Sequence, residues 1–201
     1  AKDAAKNLAF RLSRGDRAAI IGFDSRPALY QGFTDDAQIL SDSIDRITRG
    51  DFTQYRPALD LADSLFEGNR RVIVLLSDGR PDDDHEAIRK TVRDIVADGV
   101  CIFTIAYADS ADAQAQQLLQ EIGRISREQT GCGEFFRAAQ DTFELRSVFE
   151  EIYQRVSSES VFTVEAKIST GDGVRIDVDA KSALNGAPVF DQECFSPQIR
   201  Y

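Results

Sequence analysis

A chain of 201 residues, 29% charged and 42% apolar, is long enough for one domain with a full core, or one domain and a small appendage, and too short for two large ones. Its net charge of −10 argues against non-specific nucleic-acid binding, which needs clustered Lys and Arg to neutralise phosphates, and leaves cations and basic protein surfaces as better-matched partners. No apolar stretch is long enough to span a membrane, and because the sequence contains no Met, Ala1 is not a translation start and a longer parent chain is expected.

Ala5, Leu8, Ala9 and Leu12 recur at helical spacing, so the chain opens in an amphipathic helix. "AAIIGF" (18–23) reads as a buried strand and "ALYQGFT" (28–34) as a shorter edge strand. A helix follows with Leu40, Ile44 and Ile47 on one face and acids at its start, where the helix dipole favours them. After the loop "RGDFTQY", Pro57 suits the first turn of a helix carrying Leu59, Ala62, Leu65 and Phe66.

"RVIVLL" (71–76) has no polar alternation, as expected of a strand buried on both faces of a parallel sheet, and it stops at Ser77-Asp78-Gly79. A helix with Ile88, Val92, Ile95 and Val96, closed by Gly99, leads to the buried strand "VCIFTIAY". Next come a helix bearing Leu118, Ile122 and Ile125, the short strand "EFFRA", and a final helix in which Asp141 and Glu144 have capping-box spacing. Strands alternating with helices of this length predict an α/β fold: a doubly wound, mostly parallel sheet with helices on both faces, over residues 1–157. From 158 to 201 the pattern changes. "VFTVEAKI" and "VRIDVDA" alternate with period two around "STGDG", which predicts a β-hairpin appendage or the start of another domain.

Three cysteines, Cys101, Cys132 and Cys194, show no C-x-x-C spacing. Cys101 lies in an apolar strand and reads as a small buried hydrophobe. Cys132 and Cys194 lie in loop-like contexts and are the candidates for a pair, which would imply an oxidising compartment.

The segments "DRAAIIGFDS", "TRGDFTQYRPALDLA", "RVIVLLSDG", "GVCIFTIAYA" and "TGCGEFFRAAQDTFELRSVFEEI", in this order and with these gaps, resemble the von Willebrand factor A domain. The resemblance implies a doubly wound sheet with a metal-ion-dependent adhesion site at its top. In the family that site uses an Asp-x-Ser-x-Ser loop, a Thr before a helix and an Asp after the following central strand. By position, Thr53 matches the threonine and Asp78 the last aspartate, with Asp24 and Ser25 as possible neighbours in the crevice. The Asp-x-Ser-x-Ser loop is missing from the N-terminal side. The resemblance implies Mg²⁺, or Mn²⁺ or Ca²⁺, in the intact domain; Thr53 and Asp78 alone are too few for near-octahedral ligation, so this chain by itself is expected to bind metal poorly or not at all.

Three sources for the absent strand compete: truncation of a longer parent, a partner chain or self-association that donates it, and rearrangement of "VFTVEAKIS". The last would put Glu165, Lys167 and Ser169 where Asp, Ser and Ser are wanted, and Lys167 would repel the cation. Other features have plainer readings. Asp82, Asp83 and Asp84 precede a helix and read as caps and dipole partners. His85 reads as a solvated helix residue, since no nucleophile elbow accompanies it. The "RGD" tripeptides at 14–16 and 49–51 fall where helices give way to the next element.

The expected function is therefore a non-enzymatic protein-binding or adhesion module, outside the cell, in the periplasm or on the cell surface. Its partner would be a protein ligand whose acidic residue completes the metal's coordination. The alternative is a cytoplasmic A-domain subunit of an AAA+ ATPase-linked assembly or metal-insertion machine. Hydrolase activity dependent on Asp78 or His85 would be needed to revive an enzymatic reading.

Overall fold

The computed structural model describes residues 2–12, 15–48, 52–67, 71–107, 113–132, 135–158, 164–171 and 173–180. The chain divides into two compact units, Ala1–Gln154 and Arg155–Tyr201.

The first unit opens with α1 (Lys2–Ala9), followed by β1 (Ala18–Phe23), β2 (Pro27–Thr34), α2 (Ala37–Arg46) and α3 (Tyr55–Ser64). Then come β3 (Val72–Ser77), α4 (His85–Ala97), β4 (Cys101–Tyr107), α5 (Ala113–Thr130), β5 (Phe136–Ala139) and α6 (Thr142–Ser158). Asp36 starts α2, its carboxylate accepting from the backbone of Gln38 and Ile39. Gly99, at φ 84°, supplies the left-handed turn after α4 that a side chain would resist. Asp141 caps α6 through the amides of Phe143 and Glu144, both at 2.8 Å. Glu144 reaches back to the amide of Gln140, one residue beyond the usual capping-box donor.

β3, β4 and β5 form a parallel sheet in the order β3-β4-β5, so the α/β fold with a parallel sheet at its centre is as expected. β1 pairs antiparallel with β2, and among the described residues this ribbon has no strand linking β1 to β3.

Helices cover both faces. Residues next to each other in a strand point to opposite sides: Gly22 lies against Ile47, at the end of α2, while the ring of Phe23 meets Tyr55 of α3 edge-on at 5.9 Å. The main core packs Ile73, Leu75, Ile102 and Ala106 of the parallel sheet against Leu59 of α3, Ile88 and Val92 of α4, and Leu118 and Ile122 of α5. Thr104, fully buried, satisfies its hydroxyl on the carbonyl of Leu119 at 2.8 Å. α5 approaches the segment before β5 so closely that a Cβ on Gly123 would lie 2.9 Å from the carbonyl of Phe135. Lys6 pairs with Asp45, and Arg11 with Glu150, tying α1 to α2 and its following turn to α6.

Cys101 and Cys132 form a disulfide across a separation of 31 residues. This corrects the expectation that Cys101 is only a buried hydrophobe and that Cys132 pairs with Cys194, which lies outside the described residues. The crossover explains the pairing: β4 and β5 run parallel, so the first residue of β4 and the turn entering β5 meet at the same end of the sheet.

The second unit contains the expected hairpin, β6 (Val164–Gly171) paired antiparallel with β7 (Gly173–Ala180). The register sets Ile168 opposite Ile176 and Ala166 opposite Val178.

Candidate metal-binding rim

Parallel strands present their carboxyl ends on one edge, and the crevice beyond them is the usual ligand site of an open α/β sheet. β3 delivers Ser77-Asp78-Gly79 to that edge, and the segment before α3 delivers Thr53 to the same place. A Cβ on Gly79 would lie 2.9 Å from Thr53 Oγ1, so the hydroxyl sits directly over the residue that follows Asp78.

Three further bonds lace the two loops. The Thr53 amide donates to Asp82 Oδ2 and the Asp82 amide to the Thr53 carbonyl, both at 2.7 Å. The Arg56 amide donates to Asp83 Oδ2, also at 2.7 Å. Asp84 caps α4 through the amide of Ala87 at 2.9 Å. Of the acids after β3, the cap reading therefore holds for Asp84, whereas Asp82 and Asp83 serve as cross-braces to the neighbouring loop. Asp78 is exposed at the strand end.

Beneath the rim stands Tyr55, which the sequence analysis placed only in the loop before the helix and which is the first residue of α3. Its side chain is fully buried, its ring packs on Phe23, and its hydroxyl donates to the Gly79 carbonyl at 3.0 Å. Its pKa is pushed up to about 12, chiefly by burial, with the charges of Asp78 and Asp83 adding to the effect and a hydrogen bond with Ser77 opposing it. Tyr55 thus stays protonated at neutral pH and keeps its donor on the loop. The Ser77 hydroxyl and the Gly79 amide, 3.3 Å apart, tighten the same turn. The available signal was position: a Tyr two residues after Thr53, at the first turn of a helix whose start faces the strand end.

Asp24 and Ser25 lie in the turn joining β1 to β2. Asp24 Oδ1 accepts from the Ser25 hydroxyl at 3.2 Å and from the Arg26 amide at 3.0 Å, the bonding of an Asx turn. His85 is the first residue of α4 and is half-buried. The second "RGD", at 49–51, lies outside the described residues.

As donors, Thr53 and Asp78 supply a neutral hydroxyl and a carboxylate, the hard oxygen ligands that suit Mg²⁺, Mn²⁺ or Ca²⁺. Among the described residues no group of His, Cys, Asp and Glu gathers as a self-sufficient metal cage, and none of the helices is long and apolar enough to cross a membrane.

Residues 1–80 match the family model described as von Willebrand factor type A domain. No curated protein sequence matches the chain. Among solved structures, the conserved hypothetical protein BatB from Bacteroides thetaiotaomicron superposes with a TM-score of 0.62 at 16% identity, covering 78% of this chain and 85% of that one. Proximal thread matrix protein 1 from the mussel byssus, with a zinc-occupied MIDAS motif, gives 0.62 at 15% identity over 82% of this chain and 43% of its own. The pilus adhesin SpaC from Lactobacillus rhamnosus GG gives 0.63 at 12% identity over 77% of this chain and 27% of its own. At these identities the structural likeness speaks to fold alone, and the chain spans less than half of the last two proteins. Residues 1–80 are thus similar in sequence to the von Willebrand factor type A domain, and the described residues share the fold of the solved structures that carry it.

Proposed function

We propose that this domain is a non-enzymatic protein-binding module of adhesion type, and that Thr53 and Asp78 contribute to a divalent-cation site at the top of its sheet. The observation that carries the reading is the seating of Thr53 Oγ1 over Gly79, with the two loops braced by Asp82, Asp83 and Tyr55. Two hard oxygen ligands held by a stiff frame fit a hard cation that still needs further ligands. The remainder would come from an extended segment outside these 201 residues, lying between β1 and β3 and ending in Asp-x-Ser-x-Ser, and from a carboxylate of the protein ligand.

Three further points support it. Among the described residues, β1 and β3 each carry one strand edge without a paired neighbour, which suits an added strand whose affinity comes from main-chain hydrogen bonds. Solved neighbours include a pilus adhesin and a protein with a zinc-occupied MIDAS. The Cys101–Cys132 disulfide favours an extracellular, periplasmic or surface setting over a reducing cytoplasm.

The test is calorimetric. Mg²⁺ is titrated into the chain alone, then with a synthetic apolar strand peptide ending in Asp-Gly-Ser-Gly-Ser. Weak binding alone and at least about tenfold tighter binding with the peptide is the expected result, a ratio worth about 1.4 kcal/mol. Equal binding in both titrations would sink the proposal.

A further inference from the structure

α2, α4 and α6 each start at an aspartate whose own carboxylate takes the first free amides of its helix: Asp36, Asp84 and Asp141. α3 is different. Its cap position is Gln54, with a backbone extended at φ −118° and ψ 107° as a cap requires, but the Gln54 side chain makes no capping bond. The amide of Arg56, the second residue of α3 and one of the donors that a helix start leaves open, is taken instead by Asp83 Oδ2 at 2.7 Å, from 27 residues along the chain.

The amide of Thr53 is taken by Asp82 Oδ2 at 2.7 Å, and the Asp82 amide returns a bond to the Thr53 carbonyl at the same length. Pro81, buried, precedes both acids and anchors their loop. Thr53 and the start of α3 are thus both held from the loop that also carries Asp78. The Thr53 hydroxyl, packed over Gly79, sits at the join.

We infer that Asp82 and Asp83 are positioning residues of the rim: by capping α3 from the opposite loop, they hold the Thr53 hydroxyl and the Asp78 loop as one unit. They act on a cation through Thr53 and not as its ligands. The inference rests on the functional reading above and assigns parts to two further acids of that site. A carboxylate bonded to an amide keeps its charge, so the pair also adds to the negative field at the rim. Positioning and charge predict different results for the amide variants, because asparagine keeps an acceptor oxygen and loses the charge.

The test compares wild type with Asp82→Ala/Asp83→Ala, with the same pair plus Gln54→Ser, and with Asp82→Asn/Asp83→Asn. Three quantities are measured: Tm, the NMR cross-peaks between the side chain of Thr53 and the α-protons of Gly79 without cation, and Mn²⁺ affinity from the broadening of amide signals. The alanine pair should lower Tm, lose the cross-peaks and weaken Mn²⁺ binding about 10–100-fold, the usual effect of removing groups that orient metal ligands. Gln54→Ser supplies a local cap to α3, so it should recover Tm but restore neither the cross-peaks nor the affinity. The asparagine pair should keep the cross-peaks and most of the affinity. Cross-peaks that survive the alanine pair overturn the inference, as does their return with Gln54→Ser, which would leave the acids as helix caps only. Equal loss of Mn²⁺ affinity in the alanine and asparagine pairs overturns it too, in favour of charge alone. Wild type that shows no broadening at Thr53 and Asp78 sinks the cation reading instead, and the cross-peaks then decide the positioning by themselves.

Discussion

Replacing Tyr55 by Phe removes one hydroxyl and leaves the ring against Phe23. The lost bond is the 3.0 Å donation to the Gly79 carbonyl, a net effect of about 1 kcal/mol, equivalent to a fall in Tm of roughly 2–4 °C for a chain of this length. The pH dependence is more diagnostic. In the fold the phenol's pKa is pushed up from 10.0 to about 12, so the folded state holds this proton more tightly than the unfolded chain. The stabilisation is complete below pH 10 and is lost as pH rises toward 12, by about 3 kcal/mol in all at 1.36 kcal/mol per unit. The Tyr55→Phe variant carries no ionisable group at this position and loses nothing there. Thermal melts at intervals from pH 8 to 12 should therefore show wild type above Tyr55→Phe near neutrality, with the curves crossing between pH 10 and 12. Parallel curves with a constant gap would refute the placement of a buried, protonated Tyr55 under the Asp78 loop.

Reducing the Cys101–Cys132 disulfide, or replacing Cys132 by Ser, releases a loop closed over 31 residues; chain entropy sets the loss at up to about 4 kcal/mol, readable by calorimetry, and a Tm unmoved by reductant contradicts the pairing. Gly79→Ala puts a methyl 2.9 Å from Thr53 Oγ1, so overpacking should cost about 1–3 kcal/mol and displace the hydroxyl; an unchanged melt together with unchanged divalent binding would mean the loops are not in contact. Asp63 has its pKa raised, first by burial and then by Asp98, with Arg71 opposing. Its charged form is thus disfavoured in the fold at neutral pH, so Asp63→Asn should raise Tm at pH 7 by an amount that fades as pH drops through the carboxylate range. A lower Tm at pH 7 would reverse the sign of that argument.

Local signals made most of the fold legible. The apolar runs at 18–23, 72–76 and 100–107 mark strands, but the expected burial on both faces holds only for β4; β3 alternates buried and half-buried residues and β1 is mostly half-buried. Gly99 marks a helix end because side chains rarely adopt its φ of 84°. The split between the β1–β2 ribbon and the β3–β5 sheet was less legible, since period and propensity describe a strand and not its neighbour. The Cys101–Cys132 pair was misread for a related reason: loop-like context said nothing about which strand ends a crossover brings together. At the rim, Thr53 and Asp78 stood out by position along the chain. Tyr55, Asp82 and Asp83 did not, because their roles are contacts across 24 to 29 residues that only the folded loops create.

The most direct measurement is residue-specific broadening of amide NMR signals by sub-stoichiometric Mn²⁺, which reports weak binding without requiring a complete site. Broadening should centre on Thr53, Asp78 and Gly79 and disappear in Asp78→Asn, while the fold and the Asp84 cap of α4 persist. Broadening centred instead on the acids of α4 and α5, or left unchanged by Asp78→Asn, would contradict the assignment of the rim as the cation site.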